Sequence, residues 1–574
     1  MRKYFLIFLT VSFSVVYSQT NSPSEIGSKI IDRVIGDTSF DLEVVQQQPV
    51  LDIQVLDFQK AGCTGGISYA LCYAEAEKDT TVELCISYSV PVKIFLNDKK
   101  IYEDKTGKKF HFKETAYGIF EFNDTVSTVF KKGRNKILVK SCVRNESDFI
   151  YLRELTPAEG KACLSFTAEP TVEKLNGNPW LFIGPFKSKS LNEVFPPENK
   201  FELLCQTGKN ELKWHTVADN LLLSAKILPQ AKFKKEAYSE WTYANGAMFF
   251  TILEFAKKIS NQKYADFAKR FCNFTVTTMP LFKKQYYSDH AFRGFNHRIF
   301  RKQMLDDAGA PVLPFMQLLL DGRGSEYKNI VDEMLGYIIN EQTKLDDGTL
   351  CRIEPEAYTI WADDLFMSVP LLLRYAEFTK EKKYYDFAAN QVLNFNKYLF
   401  DPITGLYKHG YFIRTKKTSE VFWARANGWV AWANSEAMLH ISKDHPAYEK
   451  IKNNFIRHIN GLISFQDESG MWHQVLNDKT TFEETSSTAM FIVVLARGIK
   501  NGWIDKKYEP NLIRAWDALK KNISGDGTVK NICRGTGIGN TIEFYAKRAT
   551  FENDPRGMGA VITACGEMMD FINK

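Results

Sequence analysis

Two adjacent carboxylates, Asp363 and Asp364, follow closely after Trp361 and precede an apolar stretch that predicts a helix. One carboxylate at a helix start is ordinary, because its oxygens accept hydrogen bonds from the unpaired N–H groups of the first turn. The second is then left to face whatever lies beyond the helix start. A carboxylate beside a flat indole suits acid or base chemistry on a sugar. We therefore take Asp363 as the candidate for chemistry and Asp364 as the candidate helix cap.

Aromatic and polar side chains recur at the starts of other predicted helices. The segments are 241–246, 305–309, 408–410 with 423–429, 472–473 with 483–488, and 534–537. Each has an ordinary explanation: Asp306 or Asp307 could cap a helix, His409 could lie in a solvated turn and Arg425 could form an ion pair. Their recurrence at one structural position favours a shared site. The chain has no HExxH or CxxC spacing, so the sequence predicts no metal and no cofactor.

The elements that must position these groups are helices. Beyond residue 200 the apolar spacing has the helical period, and it predicts helices at 216–227, 241–258, 262–278, 304–320, 325–342, 364–379, 382–398, 424–442, 446–465, 484–500, 509–521 and 556–572. Segment 254–268 resembles 377–388, which indicates repeated helical hairpins. Six hairpins that bury their faces against one another would close into an (α/α)6 barrel. The segments before its inner helices would then meet at one mouth.

The region 40–175 has a different pattern, with short period-two segments separated by turn residues. This pattern predicts a β-sandwich, a jelly-roll-like accessory domain without a catalytic cluster. Residues 176–200 are rich in Pro, Gly and Asn and are predicted to link it to a catalytic domain at 201–574. We therefore expect a mainly α protein with a β-sandwich in front of the barrel.

Residues 1–18 have the features of a secretory signal peptide: Arg2 and Lys3, an apolar run and a small-residue cleavage site. No later segment has the apolar length of a membrane span, so we expect an exported protein, periplasmic or secreted. The ten cysteines are scattered, which favours mostly free thiols, with one or two disulfides open in the N-terminal region. The net charge of +6 is not concentrated in a Lys/Arg block, so it does not favour a nucleic-acid partner and is compatible with a small anionic substrate.

Residues 240–570 resemble glycoside hydrolase families 88 and 105, the unsaturated glucuronyl and rhamnogalacturonyl hydrolases. The resemblance is carried by Leu-Asp-Asp-Ala-Gly at 305–309, Trp-Ala-Asp-Asp-Leu-Phe-Met at 361–367, Gly-Leu-Tyr-Lys-His-Gly at 405–410, Trp-Ala-Arg-Ala-Asn-Gly-Trp at 423–429 and Glu-Glu-Thr-Ser-Ser-Thr-Ala-Met at 483–490. The chain departs from the family pattern at Ala426, where a Gly is usual. That change is mild unless the backbone there needs a positive φ.

The resemblance implies that Asp363 is the general acid and base, and that Asp307 is the second essential carboxylate. Arg425 would anchor the carboxylate of a uronate substrate through charge-assisted hydrogen bonds. Trp361 would be an apolar wall that, with Asp307, helps to keep Asp363 protonated by raising its pKa. The full set of substrate-binding candidates is His409, Arg425, Trp429, Tyr243, Trp361, Asp306 and Arg352.

The implied reaction is hydration of the C4=C5 double bond that a polysaccharide lyase leaves on a terminal uronate. Asp363 would protonate C4 while water adds at C5, and the resulting hemiketal would open and release the neighbouring sugar. The implied partner is a lyase-generated oligosaccharide. Two alternatives stay open: a conventional glycosidase that uses Asp307 and Asp363 on a saturated sugar, and a non-catalytic carbohydrate-binding protein.

Overall fold

The computed structural model of the chain describes residues 22–46, 53–109, 112–114, 120–143, 150–154, 163–167, 178–186, 214–217 and 221–573. The predicted signal peptide lies outside these residues. The chain forms two compact units. The helical unit contains the described residues within 1–39, 227–274 and 308–574, and the β-rich unit those within 40–226 and 275–307. The expected helix-rich character and the β-rich N-terminal region are both confirmed.

The strands of the β-rich unit are short and antiparallel. They are β1 (Leu42–Gln46), β2 (Gln54–Leu56), β3 (Ile67–Ala76), β4 (Thr80–Tyr88), β5 (Val92–Leu96), β6 (Lys99–Asp104), β7 (Phe112–Glu114), β8 (Phe120–Phe122), β9 (Asp124–Phe130), β10 (Gly133–Ser141), β11 (Ile150–Glu154), β12 (Leu164–Thr167), β13 (Leu181–Phe186), β14 (His215–Thr216) and β15 (Leu221–Ala225). One sheet has the order β14-β13-β3-β10-β5-β6, with β12 also beside β3, and a second has the order β2-β11-β4-β9.

The two sheets share a buried apolar core. Ile137 and Val139 of β10 belong to that core together with Ile86 of β4, whereas Leu138 packs in a separate cluster on the other face of its sheet. This is the period of two that the sequence shows, since successive side chains of a strand point to opposite faces. The alternation that predicted strands in region 40–175 is therefore present in β10.

Two expectations for the sequence after residue 175 differ from the structure. The strand β13 lies inside the predicted linker and pairs with β3, so part of that segment is a sheet strand. The predicted helix at 216–227 is wrong, because this stretch contains the strand β15, which pairs with β1. Its Leu-Leu-Leu run fits either period, and pairing with a distant strand decided the outcome.

The helices of the chain are mostly longer than its strands. They are α1 (Pro23–Asp37), α2 (Tyr243–Lys258), α3 (Gln262–Tyr287), α4 (Arg298–Arg301), α5 (Leu305–Leu320), α6 (Lys328–Gly336), α7 (Val369–Thr379), α8 (Lys382–Leu399), α9 (Ala424–His440), α10 (Tyr448–Ser464), α11 (Thr485–Lys500), α12 (Glu509–Lys521), α13 (Ile542–Ala546) and α14 (Pro555–Ile572). A further set of short strands lies in the loops: β16 (Thr359–Trp361), β17 (Phe400–Asp401), β18 (Leu406–Tyr407), β19 (Gly410–Phe412), β20 (Lys417–Thr418), β21 (Ile532–Cys533) and β22 (Thr550–Phe551).

Alternate helices of the helical unit pack side by side. Helix α7 contacts α9, α9 contacts α11, α11 contacts α14, and α14 contacts α2. Helix α5 lies between α2 and α7. A Cβ added to Gly246 of α2 would meet the α5 backbone, and one added to Gly309 of α5 would lie 1.5 Å from the carbonyl oxygen of Met367, just before α7. Only glycine fits at such an approach. These six helices are the inner helices, and each contacts the next.

A chain of buried polar groups, here named the polar belt, joins the inner helices. Its members are Gln317 of α5, Arg374 of α7, Glu436 of α9, Arg497 of α11 and Glu567 of α14. Arg374 lies 3.2 Å from Gln317 and 2.8 Å from Glu436, and Arg497 lies 2.7 Å from Glu436 and 3.1 Å from Glu567. Lys258 of α2 approaches Glu567 at 3.6 Å. The belt therefore fixes which inner helices are neighbours.

Two global expectations concern cysteines and membranes. The nine cysteines within the described residues are free, and eight of them are buried. Among the helices of the described residues, none is long and apolar enough to cross a membrane.

Candidate active site

The starts of the inner helices meet at one end of the helical unit. The Tyr243 and Phe366 rings lie 6.4 and 4.6 Å from the Trp429 ring. Arg425 at the start of α9 donates to Ser486 at the start of α11 (3.4 Å), and a Cβ added to Gly557 on α14 would lie 2.9 Å from the Ser486 side chain. The expectation that the segments before the inner helices meet is therefore correct for α2, α7, α9, α11 and α14.

Asp363 faces His409 at this end. The two residues come from neighbouring segments, since Trp361 in β16 pairs with Gly410 in β19. His409 Nε2 lies 3.2 Å from Asp363 Oδ2, and neither atom has a well-aligned hydrogen-bond partner among the described residues. The His409 side chain is fully buried, whereas that of Asp363 keeps 14% exposure. The carboxylate is thus the member of the pair that reaches solvent.

Tyr545 orients the imidazole from behind. Its hydroxyl lies 2.7 Å from His409 Nδ1 and accepts a hydrogen bond from the backbone N–H of Gly539 at 2.9 Å. If the tyrosine hydroxyl donates to Nδ1, a neutral His409 carries its proton on Nε2 and presents it to Asp363. Gly539, Tyr545 and His409 are therefore joined by hydrogen bonds, and His409 Nε2 faces Asp363 at 3.2 Å.

The pKa of Asp363 lies below its ordinary value. Burial raises the pKa, but the neighbouring His409 and the positive charges of Arg352 and Arg425 outweigh burial. The expectation of a raised pKa is therefore wrong for the protein without substrate. Apolar walls and a second carboxylate would raise this pKa, whereas the structure places the cations Arg352 and Arg425 near enough to Asp363 to lower it.

Asp364 does not cap a helix, which corrects the first interpretation of this pair. Its carboxylate is fully buried and accepts from Arg352 Nε at 2.9 Å and from a terminal guanidinium nitrogen at 2.6 Å. The same guanidinium lies 4.4 Å from the centre of the Trp361 ring. Arg352 was a substrate-binding candidate, but these contacts make it a support for Trp361, whose ring meets His409 edge-on at 5.5 Å.

Arg425 is fully buried and binds the protein backbone. It donates to the carbonyl oxygens of Cys533 (2.5 Å) and Arg534 (2.7 Å), which ties the start of α9 to the loop after β21. The resemblance implies that Arg425 contacts the substrate carboxylate directly. The complete burial of Arg425 does not support that role. Its charge still reaches the site, since it lowers the pKa of Asp363. Ala426 does not have a positive φ, so the missing glycine causes no strain.

The remaining candidates fall into two groups. Tyr243 and Trp429 lie together at the mouth, and the half-buried Tyr243 is the more accessible of the two. Asp306 and Asp307 lie in the first turn of α5, within the β-rich unit. There Asp307 is buried and accepts two hydrogen bonds from Arg301, at 2.9 and 3.0 Å.

Two buried carboxylates and one tyrosine of this site were not among the candidate residues, although one of the carboxylates lies in the segment 483–488. Glu484 caps α11, accepting from the N–H groups of Ser486 (3.1 Å) and Ser487 (2.7 Å), and Asp554 caps α14. The signal for Glu484 was present, because a Glu directly precedes Thr-Ser-Ser-Thr at a predicted helix start. Tyr545 lies on a five-residue helix that carries no periodic pattern.

Comparison with known proteins identifies the family of this chain. Residues 225–572 match Glycosyl Hydrolase Family 88. The chain is 26% identical over 250 residues to the Unsaturated rhamnogalacturonyl hydrolase YesR of Bacillus subtilis, covering 42% of this chain and 71% of that protein. It is 29% identical over 219 residues to the Unsaturated 3S-rhamnoglycuronyl hydrolase of Alteromonas sp., covering 36% of this chain and 51% of that protein. An Unsaturated 3S-rhamnoglycuronyl hydrolase of Formosa agariphila is 29% identical over 181 residues, which is 29% of this chain and 48% of that protein. The match thus spans about half the length of the last two.

Solved structures support the fold. A possible member of the GH105 family from Salmonella enterica superposes with a TM-score of 0.52 at 20% identity, over 60% of this chain and 87% of that one. A family 105 glycoside hydrolase from C. acetobutylicum gives 0.51 at 20% identity, over 57% and 93%. The family match over residues 225–572 makes the protein a glycoside hydrolase. The chain belongs to Glycosyl Hydrolase Family 88.

Proposed function

We propose that the protein is an unsaturated uronyl hydrolase, which hydrates the C4=C5 double bond of a terminal uronate on lyase-generated oligosaccharides. The observation that carries the proposal is the partly exposed Asp363 carboxylate, 3.2 Å from His409, where the inner helices start. The names of the relatives from Bacillus, Alteromonas and Formosa support this reaction class. The inner helices would form the (α/α)6 barrel, and the β-rich unit would be the jelly-roll accessory domain.

In the proposed mechanism Asp363 supplies the proton, and His409 holds the Asp363 carboxyl group in position. The electrons of the C4=C5 bond take the proton at C4, which leaves positive charge shared between C5 and the ring oxygen. Water adds at C5 and gives up a proton to the Asp363 carboxylate, which restores the acid. The hemiketal then opens and releases the shortened oligosaccharide. Asp307 as the second essential carboxylate stays a prediction from the family resemblance.

The substrate itself would raise the pKa of the acid. In the protein without substrate, His409, Arg352 and Arg425 together lower the pKa of Asp363 although burial raises it. A uronate carboxylate placed beside it adds negative charge to the same site and favours the neutral acid. Substrate binding would thus favour the protonated form of Asp363, which the reaction requires.

The pH profiles test this cycle. Activity should fall as pH rises, because only protonated Asp363 donates. Since substrate raises the pKa of Asp363, the basic limb of kcat should lie at a higher pH than the basic limb of kcat/KM, which reports the free enzyme. Steady-state rates across the pH range measure both limbs. Coincident limbs, or the reverse order, would contradict substrate-induced protonation.

Tyr545→Phe should lower kcat by roughly tenfold with little change in KM, because it removes one hydrogen bond that orients His409. The ring and its packing against Phe544 stay in place, so the melting temperature should change little. Tyr411→Phe is the matched control, since this half-buried tyrosine lies on β19 with its ring 5.2 Å from that of Tyr398. Equal kcat values for Y545F and wild type would remove Tyr545 from the site.

A screen of oligosaccharides from several lyase-treated polysaccharides tests the proposed function. The conjugated double bond absorbs in the ultraviolet, and hydration destroys that absorbance. A conventional glycosidase would release sugar and leave the absorbance unchanged. A protein that binds the oligosaccharides without releasing sugar would be the non-catalytic alternative. We also propose export through residues 1–18, which would place the enzyme where lyase products form outside the cytoplasm.

A further inference from the structure

The loop between α10 and α11 folds into a short hairpin. His473 and Glu483 pair across it, the N–H of Gln474 donates to the Phe482 carbonyl at 2.7 Å, and the N–H of Glu484 donates to the Trp472 carbonyl at 2.9 Å. Near its base, His473, Glu483 and Asp467 each present one ligand atom, and these three atoms lie within 4.8 Å of one another. The hydrolase mechanism uses none of the three.

The orientation of His473 points to a cation. Its Nδ1 lies 2.5 Å from the Thr481 carbonyl oxygen, and since a carbonyl only accepts, Nδ1 carries the proton. In the neutral ring Nε2 then carries no proton and presents a lone pair. That atom is buried, has no hydrogen-bond partner among the described residues and lies 3.4 Å from Asp467 Oδ2. The His473 residue as a whole is 9% exposed. A lone pair that faces a carboxylate oxygen repels it unless positive charge lies between them, which either a second proton on His473 or a bound cation supplies.

The spacing of His473 and Asp467 fits a tetrahedral metal, and the Glu483 ligand atom lies within 4.8 Å of both. Zn²⁺ binds imidazole nitrogen and carboxylate oxygen at about 2.0–2.1 Å, so two ligands of one tetrahedral ion are about 3.4 Å apart. The His473–Asp467 separation already has this value. The Thr481 carbonyl holds the other ring nitrogen, as a backbone carbonyl does for many metal-bound histidines.

We propose that Asp467, His473 and Glu483 bind a divalent transition-metal ion, Zn²⁺ above the others, with water as a fourth ligand. The site is structural. It closes the hairpin whose end, Glu484, caps α11 and whose Gln474 carbonyl accepts from the N–H of Ala424 at the start of α9 (3.0 Å).

Two other groups face the Asp467 carboxylate. Lys479 Nζ lies 3.1 Å from Oδ2, and the Ser469 N–H donates to Oδ1 at 3.1 Å. The Ser469 bond leaves Oδ2 available. Lys479 is a competing cation on a side chain that is 68% exposed, so the metal can displace it. Metal affinity should therefore rise when this ammonium is removed.

Calorimetric titration of Zn²⁺ into the untagged, chelator-treated full chain tests the proposal. We expect one equivalent to bind and the melting temperature to rise with it, because the metal binds only the folded hairpin. Asp467→Asn and His473→Ala should each weaken binding by about 100-fold or more, and Lys479→Gln should strengthen it severalfold. The Co²⁺ form should give the intense visible absorption of four-coordinate cobalt.

His445→Ala is the matched control, since His445 lies 2.9 Å from Asp386, a carboxylate already paired with Lys382. It should bind Zn²⁺ as the wild type does. The proposal is overturned if the wild type binds no stoichiometric Zn²⁺, or if its binding is unchanged in H473A and D467N. Should either variant fail to fold by circular dichroism, Glu483→Gln and K479Q decide, because the first must weaken and the second must strengthen binding. Hydrolase activity plays no part in these readouts.

Discussion

Asp363→Asn should abolish the loss of ultraviolet absorbance on unsaturated oligosaccharides, with kcat/KM reduced about 10²- to 10⁴-fold. Asparagine has the same shape and can face His409 in the same position, but it has no acidic proton to give to C4. Because the Asp363 side chain is partly exposed and forms no bidentate ion pair, the variant should fold normally. Continuous absorbance assays at several substrate concentrations, together with thermal unfolding, measure both results.

Its matched control is the neighbouring carboxylate, Asp364→Asn. That change breaks a fully buried pair with Arg352, so it should cost about 3 kcal/mol of unfolding free energy. D363N should thus lose activity while keeping its stability, whereas D364N should lose stability. Near-normal turnover in D363N would show that another group is the acid.

Glu436→Gln should lower the free energy of unfolding by about 3–5 kcal/mol, because it leaves Arg374 and Arg497 buried without their shared counter-charge. Urea unfolding measures the change. Burial raises the pKa of Glu436, but the two arginines outweigh it and lower the pKa well below its ordinary value. A lowered pKa contributes stability above the pKa of the unfolded state, and that contribution is lost as pH falls. E436Q should therefore also lose part of the acid sensitivity of the wild type.

Glu377→Gln is the control for this substitution. Glu377 pairs with His440 on the surface, where its side chain is 40% exposed, so the change should stay within about 0.5 kcal/mol. A loss below about 1 kcal/mol in E436Q would mean that the polar belt is not needed to hold the inner helices together.

The sequence predicted most helices and strands correctly because their apolar periods are strong and local. It also predicted that the groups at the starts of the inner helices meet, since hairpin repeats leave few other arrangements. It did not predict the polar belt, because one polar residue on an apolar helix is ordinary until its partners on other helices are known. For the same reason Asp364 was taken for a cap. Its partner Arg352 lies across a turn whose path the sequence does not reveal.

The predicted pKa shift of Asp363 was wrong because part of its surroundings comes from residues distant in the sequence. Desolvation can be anticipated from neighbouring Trp361, but Arg425 acts through space from another helix. Tyr545 was missed because its role depends on the position of its hydroxyl, and no local pattern marks it.

The meeting of helix starts has an electrostatic consequence. Each helix carries roughly half a positive charge at its N-terminus from its aligned peptide dipoles. Helices α2, α7, α9, α11 and α14 all begin beside one another, so their positive ends add together. Glu484 and Asp554 accept from backbone N–H groups at these helix starts, and Asp554 also pairs with Arg556 at 2.9 Å. A substrate that arrives as an anion would be attracted to the same place by the backbone itself, before any arginine contacts it.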